Sequence, residues 1–513
     1  MQHDPVDSSR RNFLARTAAI GAAAMAAGSA RAQTGRRGGR LVLAAPGGSA
    51  GDSLDPRAFT AVYHGNIAYA YGNCLTEIGE NNRVVPELAE SWEWQDGGKR
   101  WLFELRRGVT FHNGKTMTSA DVVWSLNLHR TPDTKSGAKT LLSPIADIRA
   151  DGPNRIVIEL AAPYVDLPQV LSDWHLLIIP ANTTDFNAGI GTGPFAVKRF
   201  VPGQTVEMTR NPNYWKQGRG YFNEVEMLAV NDAAARVNGL VTGEIHLAER
   251  IDTKTVALLS RNTQLVVHRT VTGGYRPFVM HCDTAPFDNP DLRRALKLAI
   301  DREDYVKRVF SGFGRVGNDH PIAPVDPMFS AAIPQRMYDP DQARSLYRRS
   351  GHSGPIVIHA SEAPYSEAID AVTVYKEHAA KAGIDIQIAR EPAAGYWSNV
   401  WLKKPFCVSS WGARPTAEIV LATAFKSDAP FNDTRWKNPE FDRLLAQARG
   451  EFNDARRKEI YHRCQLLIHE TGGCLNPIFN DFVDGARANL QGWIPGNHGL
   501  SGMRAAERMW FAS

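Results

Sequence analysis

The chain has 513 residues, so we expect two or three domains rather than one hydrophobic core. Hydrophobic residues make up 43% and charged residues 22%, which is normal for a soluble globular protein. The 59 Lys and Arg residues against 54 Asp and Glu residues are too evenly balanced for a nucleic-acid-binding protein. No run of Lys and Arg interleaved with aromatic residues indicates such a protein either, so nucleic-acid partners are excluded.

The N-terminal segment, residues 1–32, is predicted to be a twin-arginine signal peptide. Residues 9–14 read SRRNFL and match the export motif, and residues 18–28 form an alanine-rich apolar run. Ala32 ends an A-x-A cleavage site. The run is too short for a transmembrane helix of about 20 residues, and no cysteine near the cut favours a lipid anchor. We expect export of the folded protein to the periplasm; the alternative is a disordered tail.

Regular elements can be followed along the chain from residue 40. Residues 40–45 (RLVLAA) form a short apolar strand, and residues 59–75 form a helix that carries several tyrosines. Large apolar and polar residues alternate over residues 92–94 and 101–105, as in half-buried strands. The Asp-Gly-Gly sequence at residues 96–98 supplies a hairpin turn between these strands, because glycine tolerates positive φ.

A helix is predicted to begin after Thr118. Asp121 follows three residues later, which is the spacing of a capping box. Val122, Val123 and Leu126 would form the buried stripe of this helix. The hairpin and this helix together indicate an α+β unit and carry no function by themselves.

The second half of the chain alternates helical and strand patterns. Asn289 is an N-cap and Pro290 takes the first position of an amphipathic helix. The remaining predicted elements are strands at 155–160, 355–359 and 384–388, a buried run at 176–180, and helices at 343–349, 368–382, 441–449 and 454–469. The alternation between residues 343 and 388 favours a βαβ lobe.

Five cysteines in an exported protein leave at least one unpaired. Cys464 and Cys474 are the candidate disulfide pair, because a predicted helix end and two glycines separate them. Cys74, Cys282 and Cys407 lie in apolar surroundings and are expected to be buried small hydrophobic residues.

No motif indicates a cofactor or a catalytic centre. The glycines at 189, 191 and 193 lack the spacing of a dinucleotide fingerprint, and no phosphate loop, G-x-S-x-G elbow or H-E-x-x-H motif is present. His462, Cys464, His469 and Cys474 would lie on different faces of their helix or beyond it, so no metal site is predicted.

Three stretches carry a family resemblance: residues 84–126, with PELAESWEW and LRRGVTFHNGK, residues 191–215, and residues 286–302. They closely resemble the extracytoplasmic solute-binding proteins of family 5, which feed ABC importers of peptides, opines and nickel. The resemblance covers the chain from about residue 40 to its end. It implies a mixed α/β, two-lobed periplasmic binding protein fold with an extra domain inserted in the first lobe and a ligand cleft between the lobes.

Carried over to this sequence, the resemblance implies three units. Lobe one would comprise residues 33–73, 190–272 and 483–513. The inserted domain would be 74–189, and lobe two would be 273–482. These names are used below for these ranges.

The resemblance also implies which residues line the cleft. Tyr63, Tyr71 and Asn73 would line it from lobe one, and Tyr396, Trp397 and Trp411 from lobe two. Core packing is the alternative role for each of them. In peptide-binding relatives, an aspartate three positions after the tryptophan pairs with the α-amino group of the peptide. Here that position holds Arg414, which would favour a carboxylate, unless it points to solvent or pairs with Glu418.

The resemblance therefore implies a periplasmic, monomeric solute-binding component of an ABC importer. It would capture a peptide-like or small carboxylate-bearing solute and deliver it to permease subunits in the inner membrane. One alternative is an exported hydrolase or transferase on the same scaffold, for which Ser410 lacks a nearby histidine. Another is a binding protein linked to a chemoreceptor.

Overall fold

A computed structural model describes residues 35–79, 83–393, 395–494 and 501–512. Three sheets of four or more strands organise these residues, one each in lobe one, the inserted domain and lobe two. The predicted signal peptide and its cleavage after Ala32 lie outside the described residues.

The seven-stranded sheet of lobe one draws its strands from separate stretches of the chain. In spatial order its strands are Leu265–Thr270, Phe482–Arg487, Leu247–Ala248, Arg40–Ala45, Glu224–Ala229, Thr205–Arg210 and Phe195–Val201. Arg40–Ala45, the predicted first strand, pairs in parallel with its neighbours on both sides. Its buried run LVLAA explains that central position, because a strand covered on both faces must be apolar throughout.

Helix Val62–Tyr71 is completely buried against this sheet. It is shorter than the predicted 59–75, because Gly72 takes an extended conformation and ends it. Two glycines after the inserted domain pack on this end: a Cβ on Gly191 would lie 2.2 Å from the carbonyl oxygen of Tyr71. The G-x-G sequence therefore serves close backbone approach, in agreement with its failure to match a nucleotide motif.

The inserted domain contains the four-stranded sheet, in the order Ala89–Gln95, Arg100–Leu105, Arg155–Leu160 and Ile145–Ala150. The predicted hairpin is confirmed, with Trp94 opposite Trp101 and with Gly97 at a φ of 63° in the turn. Helix Ser119–Leu128 begins as predicted, since the carboxylate of Asp121 accepts hydrogen bonds from the backbone and hydroxyl of Thr118.

Lobe two contains the five-stranded sheet, in the order Ile386–Arg390, Ile356–Ala360, Phe406–Val408, Phe278–Met280 and Cys474–Leu475. Ile356–Ala360 and Ile386–Arg390 are parallel and are joined through helix Ala368–Lys381, so the predicted βαβ unit is confirmed. The other helices of eight or more described residues are Ala233–Thr242, Pro290–Leu298, Arg302–Phe310, Pro340–Arg349, Ala417–Ala424, Pro439–Arg449 and Asp454–Thr471.

Short elements complete the described fold. Three two-stranded sheets pair Thr76–Ile78 with Val84–Pro86, Gly314–Val316 with Ile478–Asn480, and Leu490–Gln491 with Trp510–Phe511. One-turn helices lie at Leu167–Val170, Val256–Leu259, Tyr396–Asn399 and Ala505–Arg508. No helix in the described ranges is long and apolar enough to cross a membrane.

Two crossing segments join lobe one to lobe two, at residues 271–274 and 480–481. They are bonded to each other: Thr272 Oγ1 donates to the carbonyl of Asn480 at 2.7 Å, and Asn480 N donates to the carbonyl of Gly274 at 3.0 Å. Arg269 forms an ion pair with Asp481 beside them. Two short segments, hydrogen-bonded to each other, therefore connect the seven-stranded sheet with the five-stranded sheet.

A buried ion cluster joins the last described helix and Lys216, both in lobe one, to Glu77 and Glu87 of the inserted domain. Lys216 Nζ contacts Glu77, Glu87 and Glu507 at 2.6, 2.8 and 2.9 Å. Arg504 contacts Glu87 and Glu507, each at 2.9 Å. Because removal of one partner would strand buried charges, this cluster fixes residues 504–508 in place.

The predicted disulfide is wrong. All five cysteines are free thiols. Cys464 and Cys474 are both buried in the same hydrophobic cluster of lobe two, one on helix Asp454–Thr471 and one on strand Cys474–Leu475, where they act as apolar side chains. Cys74 and Cys407 are buried as expected, whereas Cys282 is half-buried.

Candidate functional site

Trp411 is held rigidly at the end of the central strand of lobe two. Its backbone exchanges two hydrogen bonds of 3.0 Å with Tyr275, and the two rings are parallel, with centroids 6.4 Å apart. Its indole Nε1 donates to Asp433 Oδ2 at 3.0 Å, and the same carboxylate accepts from Ser409 and Trp401. Burial raises the pKa of Asp433, while these three donors oppose the rise.

Arg414 follows three residues later and is unpaired. Among the described residues, its guanidinium group has no carboxylate within 4 Å and no hydrogen bond. The residue is exposed to solvent. Glu418 instead binds Arg449 and accepts a hydrogen bond from Tyr164 at 3.3 Å, so the alternative Arg414–Glu418 pair does not form. Surrounding protein nevertheless lowers the pKa of Arg414, which is the situation of a cation on the wall of a cleft.

Asp173 and His175 of the inserted domain lie near Arg414. Asp173 Oδ1 and His175 Nδ1 are 2.5 Å apart, and His175 Nε2 is 3.1 Å from the carbonyl oxygen of Phe59. Burial opposes charge on both groups, but their mutual attraction lowers the pKa of Asp173 and raises that of His175. The charge of Arg414 adds to the lowering of the Asp173 pKa and opposes the rise of the His175 pKa, so it acts across the gap between lobe two and the inserted domain.

Two further arginines lie where the crossing segments meet the lobes. Arg276 of lobe two lies over the ring of Tyr365 at 5.5 Å, and Arg250 of lobe one lies over the ring of Phe482 at 4.4 Å. Burial lowers the pKa of both guanidinium groups, that of Arg276 to about 10, and Arg250 contributes to the shift of Arg276. These cations therefore lie near each other on opposite lobes.

The predicted site residues of lobe one are all interior. Tyr63 is fully buried in helix Val62–Tyr71, and its hydroxyl has no hydrogen-bond partner among the described residues. Tyr71 donates its hydroxyl hydrogen bond to the carbonyl of Leu54 at 3.1 Å. Asn73 lies between Glu87, Thr192 and Trp215, bonding each at 2.9, 3.0 and 3.2 Å. Tyr71 and Asn73 therefore each have hydrogen-bond partners within the protein. Of the three residues, only Tyr63 has a hydroxyl without a partner in the described structure.

In lobe two, Tyr396 donates to the carbonyl of Val408 at 2.8 Å and supports the strand that leads to Trp411. Trp397 is 44% exposed and meets Trp401 edge to face, with centroids 5.5 Å apart. The structure thus brings Trp411 and Arg414 together with Tyr275. It does not bring Tyr71 or Asn73 to them.

Sequence reasoning missed Arg250, Arg276, Asp173 and His175. Arg276 follows Gly273-Gly274-Tyr275, and a glycine pair beside an aromatic residue at a lobe boundary was the available clue. No sequence motif around Arg250 indicates a site, because its position near Arg276 depends on how the two lobes pack.

The histidines near the predicted end of lobe two bind other groups. His462 Nδ1 is 2.6 Å from Ser330 Oγ, and His469 Nδ1 is 2.8 Å from the carbonyl of Asn318. Across the described ranges, no three His, Cys, Asp or Glu side chains come together as metal ligands.

Residues 83–433, more than half of the chain, match the family described as bacterial extracellular solute-binding proteins, family 5 middle. The chain belongs to this family. As a member of it, this solute-binding protein is a component of an ABC importer. The family expectation drawn from the sequence is confirmed.

A relative of this solute-binding protein is the glutathione-binding protein GsiB of Salmonella choleraesuis, 25% identical over 473 residues that cover 88% of this chain and 92% of the relative. Two solved structures are similar in fold. One is AgaA from Agrobacterium tumefaciens R10 with agropinic acid, with a TM-score of 0.77, 22% identity and coverage of 93% of this chain and 99% of that one. The other is DppA from Helicobacter pylori with the peptide STSA, with a TM-score of 0.78, 21% identity and coverage of 94% and 100%. These likenesses confirm the predicted two-lobed fold.

Proposed function

We propose that this solute-binding protein captures a small, peptide-like solute bearing a carboxylate in the cleft between its lobes. The solute would be passed to permease subunits in the inner membrane by the monomeric protein. Export through the twin-arginine pathway, with cleavage after Ala32, would place it in the periplasm. The division into lobe one, inserted domain and lobe two belongs to this proposal.

The observation that carries the proposal is the unpaired guanidinium of Arg414. A guanidinium group that has no partner within the protein is free to bind a solute, and its planar shape binds a carboxylate through two parallel hydrogen bonds. Arg414 has no carboxylate within 4 Å among the described residues, and Glu418 is occupied by Arg449. Glutathione and agropinic acid, named for two of the similar proteins, both carry carboxylates.

The predicted site residues would have two roles. Trp411, fixed through Asp433, would contact the solute, whereas the fully buried Tyr63 would support the cleft wall from behind. Tyr71, Asn73 and Tyr396 have their polar atoms bonded within the protein, so they would shape the walls behind the cleft.

Calorimetric titration of the exported form tests the proposal. The probes are glutathione, dipeptides with free carboxylates, and the corresponding amides. Arg414→Gln should weaken binding of a carboxylate probe by about tenfold to a hundredfold, the value of a charge-assisted hydrogen bond. Arg414→Asp should weaken it further, because it replaces attraction with repulsion.

Arg348→Gln is the matched control. Arg348 is an exposed arginine without an ion pair in the described structure, and its replacement changes the net charge equally. If Arg414→Gln binds carboxylate probes as tightly as Arg348→Gln does, the role of Arg414 is wrong.

A further inference from the structure

Three arginines that are exposed or half-buried, Arg250, Arg276 and Arg414, have no strong acceptor in the described structure, unlike its buried arginines. Arg302 and Arg336 share Asp319, at 2.8 and 2.7 Å. Arg236 donates to four backbone carbonyl groups, at 2.6 to 3.0 Å. By contrast, the guanidinium groups of Arg250 and Arg414 have no hydrogen bond within the described part of the chain, and that of Arg276 has only long contacts of 3.3 and 3.5 Å to the carbonyls of Tyr275 and Trp411.

The three guanidinium groups divide into two positions. Arg250 lies over the ring of Phe482, and Arg276 N donates to the carbonyl of Ile478 at 3.4 Å, so the two arginines flank the crossing segment at residues 480–481. The charge of Arg250 also contributes to the lowered pKa of Arg276. The strongest charge acting on Arg414 is instead Asp173, in the inserted domain. A single carboxylate could therefore satisfy one position and leave the other cationic.

The acidic groups around the first position neutralise it only in part, because Asp484, whose pKa burial raises to about 6, is the one beside Arg250 that stays largely ionised at pH 7. Glu249 and Asp484 lie beside Arg250, and Glu367 lies on the side of Arg276, but none is within 4 Å of either guanidinium group in the described structure. Glu249 is fully buried and bonded to Asn66, and burial raises its pKa to about 8, so it is largely neutral at pH 7. Two neighbouring cations on opposite lobes therefore repel each other unless an anion lies between them.

We propose that the solute carries two separate anionic groups, one bound by Arg414 and the other held between Arg250 of lobe one and Arg276 of lobe two. This inference rests on the proposed function and narrows its solute class from carboxylates to dianions, such as acidic peptides with two free carboxylates. The second anion also joins the lobes, because it is bound by one arginine from each. Solutes with one carboxylate would leave one arginine position unsatisfied and would bind weakly.

The test compares probes that differ by one negative charge. Glutathione is paired with its monoethyl ester, and Ala-Glu is paired with Ala-Gln. Each pair is titrated against the wild type, Arg276→Gln, Arg250→Gln, Arg414→Gln and Arg294→Gln. Arg294 is an exposed arginine on helix Pro290–Leu298 with no ion pair in the described structure, so its variant controls for net charge.

The wild type and Arg294→Gln should bind at least one dianion tenfold or more tightly than its singly charged partner. In Arg276→Gln and in Arg250→Gln, the ratio of the two affinities should fall to less than threefold. The affinity of these variants for the singly charged probe should equal that of the wild type. Thermal unfolding without ligand identifies any variant that fails to fold, and the Arg250 and Arg276 variants report independently on the same position.

The outcomes separate the two proposals. If the wild type binds the probes with two carboxylates no more tightly than the probes with one, the two-anion inference is overturned and the proposed function still stands. The same conclusion follows if both the Arg250 and Arg276 variants keep the full preference. Binding of none of the probes would contradict the proposed function itself, and the inference with it.

Discussion

Asp166 of the inserted domain and Arg457 of lobe two form a buried ion pair, with Oδ1 and Nη1 2.7 Å apart. Beside it, Val165 N donates to the carbonyl of Arg449 at 3.0 Å, and the ring of Phe452 packs against Trp94 with centroids 4.3 Å apart. Burial raises the pKa of Asp166, and the charge of Arg457 opposes this shift. The inserted domain is therefore held against lobe two by polar and aromatic contacts.

Removal of Arg457 should destabilise the protein strongly. Arg457→Met leaves Asp166 buried without its partner, and the expected loss is about 3 kcal/mol of unfolding free energy. The double variant Asp166→Leu/Arg457→Met should recover most of it, since no unpaired charge remains. Urea unfolding measures both. Arg463→Met, on the same helix but in an exposed pair with Glu440, should cost less than about 1 kcal/mol. Equal losses for the Arg457 and Arg463 variants would contradict this account.

Glu249 should make the protein less stable at alkaline pH. Burial, followed by the nearby Asp484, raises the pKa of Glu249 to about 8, above the ordinary 4.5 of a glutamate. The folded state thus holds a proton that the unfolded state has lost, and the stabilisation is lost as pH rises through about 8. Glu249→Gln mimics the protonated form and keeps an acceptor for Asn66.

In thermal unfolding, Glu249→Gln should match the wild type near pH 5 and exceed it at pH 9, by on the order of 2 kcal/mol. Glu244→Gln, at an exposed position, removes the same charge and serves as the control. Its stability relative to the wild type should not change in this way with pH. A constant difference between Glu249→Gln and the wild type from pH 5 to pH 9 would show that Glu249 is ionised throughout.

His320 should act in the opposite direction, at acidic pH. Both of its ring nitrogens are buried without a hydrogen-bond partner among the described residues, and its ring lies near Phe329 and Phe479. Burial lowers the pKa of His320 to about 3. The unfolded chain binds a proton below its ordinary 6.5 while the folded state does not, so stability falls as pH decreases from about 6.5.

His320→Phe should remove this dependence and flatten the loss of stability between pH 7 and pH 5, by about 2 kcal/mol. Chemical unfolding at both pH values is the measurement, with replacement of the half-exposed His352 by Phe as a comparison. The prediction is wrong if the His320 and His352 variants show the same change between pH 7 and pH 5.

Thiol titration should find no disulfide. Because all five cysteines are free, denatured protein that has seen no reductant should react as five thiols. In the folded protein only the half-buried Cys282 should react readily, since burial excludes reagent from the others and raises the pKa of Cys464 to about 12. Three reactive thiols in the denatured protein would instead indicate one disulfide.

Local sequence patterns predicted many of the helices, strands and turns of this fold. They did not predict which strands pair across long sequence distances. Strand Arg155–Leu160, the Thr118 capping box and the hairpin at Gly97 follow from alternation, capping and turn chemistry within a few residues. The end of the first helix was overestimated, because the apolar run continues past Gly72. The order of the seven strands in lobe one depends on pairings between remote parts of the chain, and the sequence did not predict it; the family resemblance implied only which ranges form that lobe.

The candidate site was predictable only in part. Trp411 and Arg414 stand in one short segment, so a departure from the family pattern exposed them. Asp433, which fixes Trp411, and Arg250, which approaches Arg276, are far away in sequence and have no distinctive neighbours. Tyr63, Tyr71 and Asn73 are all buried, and the partners of their polar atoms depend on contacts with distant parts of the chain that no local pattern indicates.

The dispersed origin of the sheet in lobe one sets an order of events during synthesis. Strand Phe482–Arg487 lies between Leu265–Thr270 and Leu247–Ala248, so the sheet stays interrupted until residue 487 has left the ribosome. The sheet of lobe two is complete once Leu475 is available. The nascent chain must therefore keep the apolar edge of its first-made strands from aggregating while later sequence is translated, and the sheet of lobe one is the last of the three large sheets to close.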